Sequence, residues 1–102
     1  MFDDDMTYLT DLDKQEQQKQ DDKLRDIERS DFTTVMSTRS GRNVMYRQLM
    51  KTGVFNDTYH HDSHHHAMLA GRRSIGIMMI KDLEQYCPGE YFTMIKENSD
   101  AT

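Results

Sequence analysis

Tryptophan is absent, proline and cysteine each occur once, and no apolar run is longer than four residues. Each shortage excludes something. A single thiol, Cys87, rules out an intrachain disulfide and fits a reducing or redox-indifferent setting. Apolar runs such as Ile77-Met78-Met79-Ile80 are far too short to span a bilayer. The opening Met1-Phe2-Asp3-Asp4-Asp5 is acidic, the reverse of a signal-peptide n-region, so the expectation is a chain that is soluble when made and carries no export address. Neither strand-like alternation nor an Asn-Gly hairpin signal occurs, which leaves helix as the one regular structure the pattern supports.

What is present is charge, and it is unevenly spread. The chain has 102 residues, 30% of them charged, with a formal net charge of −5. Residues 1–31 hold 11 acids against 5 bases, and residues 32–102 hold 7 against 8. The negative charge therefore belongs to the N-terminal third, and a division follows: an acidic arm over residues 1–30 and a compact module over 31–98. Such a composition lies between a packed domain and a disordered chain.

Within the arm, Phe2, Met6, Leu9 and Leu12 are spaced to share one side of a helix, which is either a short anchor for a partner's groove or a frayed, disordered start with chance apolar residues. Residues 13–23 have no apolar side chain, so they form either a solvated single helix or an extended tether. Leu24 and Ile27 begin a weak apolar face.

The module reads as three to four helices. Asp31 is a candidate N-cap for a short turn carrying Phe32, Val35 and Met36. Thr38 caps a second helix from about Arg39 to Thr52, with Val44, Met45, Gln48 and Leu49 as its inner face. Gly53 is a natural C′ residue, and Val54-Phe55 folds back onto that end. After loop residues 56–63, Asp62 or Ser63 caps a long helix from about His64 to Tyr86. Its stripe is Met68, Ile75, Met79, Leu83 and Tyr86, flanked by Leu69 and Ile80. Gly71 and Gly76 inside it each cost about 1 kcal/mol relative to alanine, which close approach of another helix would offset. Pro88 suits the first turn of a last helix that uses Tyr91, Phe92 and Ile95. The fold class is all-α. So small a core, with nine methionines in the chain, favours adaptable packing and stabilisation by self-association or docking.

Three groups of side chains carry candidate chemistry. His60, His61, His64, His65 and His66 include the i, i+4 pairs His60–His64 and His61–His65, a spacing that lets two imidazoles share a metal on a helix. The set lies across a loop and a helix start and lacks a neighbouring fourth ligand, so an exposed polar loop is the preferred reading over a metal or proton switch. Arg39, Arg42, Arg72 and Arg73 are the candidate partner-binding cations, together with Phe2, Met6, Leu9 and Leu12 of the arm. Carboxylates of the chain or of a partner suit these arginines better than nucleic acid, because the module is near neutral and lacks aromatic stacking platforms. Cys87 has no His or Lys beside it to stabilise a thiolate. No phosphate-binding glycine loop and no serine elbow occurs. No catalytic residue and no cofactor is expected.

The order Phe32-x-x-Val35-Met36-Ser37-Thr38, Gly41-Arg42-x-Val44-Met45-Tyr46-x-x-Leu49, Gly53-Val54-Phe55, Gly71-Arg72-Arg73-x-Ile75-Gly76 and Cys87-Pro88-x-x-Tyr91 resembles a family of small helical proteins of short-tailed bacteriophages, encoded among the structural genes. The resemblance covers about residues 30–97. It implies a virion-associated, non-enzymatic protein, made in the host cytoplasm, whose partners are phage structural proteins and further copies of itself. An internal or ejected head–tail component falls within that class. The rival from another class is a phage-encoded binding regulator of a host protein. The family offers no catalytic residue to carry over, and the histidine cluster is not among its features.

Overall fold

The structure is a computed structural model that describes residues 2–56 and 61–99, with side chains from Thr10 onward. Four helices make it up: α1 Phe2–Met36, α2 Arg39–Thr52, α3 Ser63–Tyr86 and α4 Pro88–Ser99. No strand occurs among the described residues, so the fold is all-α. The chain forms two compact units, Met1–Asp31 and Phe32–Thr102.

The first unit is helix throughout its described length. Its middle has no apolar residue, and local side-chain pairs sustain it instead. Gln17 Nε2 donates to Asp21 Oδ1 at 3.0 Å and Gln18 Nε2 to Asp22 Oδ1 at 2.9 Å, both one turn apart. Arg29 pairs with Asp26 at 3.5 Å. Such exposed pairs contribute about 0.2–0.5 kcal/mol each. Asp31 is not an N-cap. It lies inside α1 because the residues before it already have helical backbone, whereas a cap must leave the helical region.

In the second unit α2, α3 and α4 pack pairwise, and the last turn of α1 supplies Phe32 and Met36 to the same core. Met36, Leu49, Val54, Leu83, Cys87 and Met94 are buried, with Met45, Tyr46, Met79, Ile80 and Tyr91 packed against them. Two aromatic pairs add to the packing: Phe32 with Tyr86, from distant segments, at 5.6 Å between centroids, and Tyr46 with Phe55, just past the end of α2, at 5.7 Å.

The helix ends follow from single residues. Thr38 Oγ1 accepts from Gly41 N at 3.0 Å and starts α2. Gly53 ends it in the left-handed region, φ 71°, with its N–H on Met50 O. Asp62 caps α3 by accepting from the backbone of His64 and His65 at 2.9 and 3.0 Å. Pro88 opens α4.

Inward assignments change on three helices. Val44 is 47% exposed and Gln48 is exposed, so the inner side of α2 is Met45, Tyr46 and Leu49. Ile75 and Met68 face outward on α3, while Gly76 takes the buried position between them and Leu83. On α4 Phe92 is 69% exposed and Met94 is fully buried. Each helix carries apolar residues on more than one side, and neighbour packing decides which side is covered.

Candidate functional site

The junction of α1, α2 and α4 contains the densest polar chemistry in the second unit. Gly41 sits in the first turn of α2, where a Cβ would collide with the backbone carbonyl of Val35. Only glycine lets the two chain segments come this close. That approach brings Arg42 over the end of α1, where its Nη1 donates to Met36 O at 3.0 Å. The carbonyls in the last turn of a helix lack intrahelical donors, and Arg42 supplies one.

The same guanidinium reaches α4. Arg42 Nε donates to Glu97 Oε1 at 2.5 Å, and Arg39 Nε lies 3.0 Å from Glu97 Oε2. Arg42 and Glu97 side chains are 16% and 17% exposed, while Arg39 is 72% exposed. One carboxylate thus joins a shielded arginine and a solvated one. The sequence shows the arginines but not their partner. Glu97 stands 55 positions from Arg42, among the ordinary charged residues at a helix end, and no local pattern marks it.

Thr38, Met36 O and Glu97 thus engage the start of α2 and its two arginines. Arg72 and Arg73 are exposed on α3, and Arg72 Nη2 lies 4.0 Å from Met68 Sδ one turn earlier. A cleft of about 340 Å³ between α2 and α3 is lined by Gln48, Lys51, Thr52, Arg72, Ile75 and Met79.

The remaining candidates separate. His61, His64 and His65 are exposed and His66 is half-buried; His61 precedes the Asp62 cap, so His61 and His65 do not share a helix. His60 lies outside the described residues. Among the described residues no group of three or more metal-ligating side chains converges. Cys87 is buried at the α3–α4 corner, where burial, and then the Glu90 carboxylate, pushes its thiol upward and keeps it protonated. Tyr91 is raised in the same way, by burial and then Glu84. In the arm, Leu12 is 40% exposed; Phe2, Met6 and Leu9 lie in α1, with side chains outside those described. No helix among the described residues is long and apolar enough to cross a membrane.

No curated protein and no solved structure matches this chain. The family described as Bbp19-like phage protein matches residues 32–96, from the last turn of α1 into α4 and including the Gly41-Arg42 junction. The chain belongs to this family of phage proteins.

Proposed function

We propose that this phage protein is a non-enzymatic virion component of a short-tailed phage, made in the host cytoplasm and working by contact with head–tail proteins or with further copies of itself. One observation carries the reading. The described part of the second unit exposes eight large apolar side chains, Val35, Val44, Met50, Phe55, Met68, Ile75, Met78 and Phe92, around a core of six buried residues and the partly buried side chains packed on it. A small module that leaves this many apolar groups largely in water gains stability when another surface covers them.

Methionine supports the same reading. Met36 and Met94 are two of the largest fully buried side chains, and Met45 and Met79 pack beside the core. Flexible thioethers tolerate repacking, which suits an internal or ejected component that changes partners. A buried, protonated Cys87 offers no nucleophile. Affinity capture of the tagged chain from infected cells tests the proposal: phage structural proteins are expected in the recovered complex. Recovery of a host protein without them would favour the regulator of a host target.

A further inference from the structure

The cleft between α2 and α3 has a chemical character of its own. Its floor includes Ile75, 57% exposed, and Met79. Lys51 stands on the α2 side and Arg72 on the α3 side. Among the described residues no carboxylate pairs with either cation. The surroundings reinforce the sign, since α2 contains no acidic residue and α3 contains none before Asp82. Both walls are therefore positive around an apolar floor. Helical spacing extends the feature by a turn on each side: Val44 precedes Gln48 by four residues, and Met68 precedes Arg72 by four, each about half exposed.

We propose that this cleft is a docking groove for an acidic amphipathic helix of another protein. The proposal rests on the contact-based reading above and names the partner's chemistry. Two helices flanking an exposed apolar floor accept a third through side chains at i, i+4 and i+7. Lys51 and Arg72 then meet acids on the two flanks of that stripe. An occupant with basic flanks meets like charge on both walls and is rejected.

The full chain, isotopically labelled, is titrated with a synthetic helical peptide bearing leucine at i, i+4 and i+7 and glutamate on both flanks. A second peptide keeps the leucines and carries lysine flanks. Saturable amide shifts confined to the six cleft residues with Val44 and Met68 are expected, with the glutamate peptide binding about tenfold or more tightly than the lysine peptide. The K51E/R72E double variant should invert the preference. Ile75→Asp, at an exposed position, should abolish binding while leaving helix content unchanged. Equal affinity for both peptides, shifts scattered over the surface, or an unchanged preference in the double variant would each overturn the proposal. Concentration-dependent shifts of these residues without peptide would overturn it too, because a second copy would then be the occupant. A chain missing from virions would defeat the virion reading and leave the peptide result standing.

Discussion

Arg42 and Glu97 lie 55 positions apart in the sequence, yet their side chains meet at 2.5 Å with only 16% and 17% of each exposed. The contact ties α4 to the start of α2, and the same guanidinium caps α1 through Met36 O. Arg39 touches the other Glu97 oxygen but is 72% exposed. Truncation should separate the two arginines. Arg42→Ala is expected to cost roughly 1.5–3 kcal/mol, because it strands a shielded carboxylate and a helix-end carbonyl. Arg39→Ala should cost about 0.5 kcal/mol or less, since solvent screens that pair. Urea denaturation of the two variants checks the contrast, and equal losses would contradict it.

The glycines should respond with opposite signs. A Cβ at Gly41 meets the Val35 carbonyl, and one at Gly76 meets Thr52 and Val54, so alanine at either position crowds a neighbouring segment. Losses of about 1–3 kcal/mol are expected, the larger at Gly41, where backbone must move. Gly71 has open space where its Cβ would be, so Gly71→Ala should gain up to about 1 kcal/mol of helix stability. Thermal melts of the three single variants give the signs directly.

On α4 the outcome depends on which apolar residue faces the core. Met94→Ala removes a fully buried side chain and should cost about 2–5 kcal/mol. Phe92→Ala removes a larger group that is 69% exposed, and should change stability by no more than about 0.5 kcal/mol in the isolated protein. Reversed magnitudes would mean that α4 is rotated about its axis.

Helix ends were legible in the sequence because single residues set them. Thr38, Gly53, Asp62 and Pro88 act through their own backbone or capping oxygen and need no distant partner. The side of each helix that turns inward was less legible. Residues Leu69 to Ile80 present apolar groups in several directions, and only the packing of Thr52 and Val54 against Gly76 decides that Gly76 rather than Ile75 turns inward. Asp31 differs from these caps because it suits a cap only where a helix begins, and here the helix continues through it. The cleft was not legible: the sequence offers Arg72 as a contact residue but puts Ile75 on the inward stripe, and Lys51 across from them requires the packing of α2 on α3. Glu97 carried no local signal.

Alkaline pH should weaken the module. The Cys87 thiol is raised above its ordinary value of 9.0, and the Tyr91 phenol above 10.0, both chiefly by burial. Unfolded chains then release these protons at lower pH than folded ones, so the folded state binds more protons above pH 9 and stability falls as pH rises. Below about pH 9 the two groups contribute their full stabilisation, and the loss continues as pH passes through the folded values. Tyr91→Phe should flatten the decline above pH 10, measured by denaturation midpoints across the alkaline range.

Membership of the Bbp19-like family makes this a phage protein, and its uncovered apolar surface argues for a life in contact with others. Quantitative mass spectrometry of gradient-purified particles, compared with the lysate they came from, is the most direct measurement of that account. The expected result is enrichment of the chain with the capsid and portal proteins, at a fixed number of copies per particle. Abundance in the lysate together with absence from the particles would contradict it.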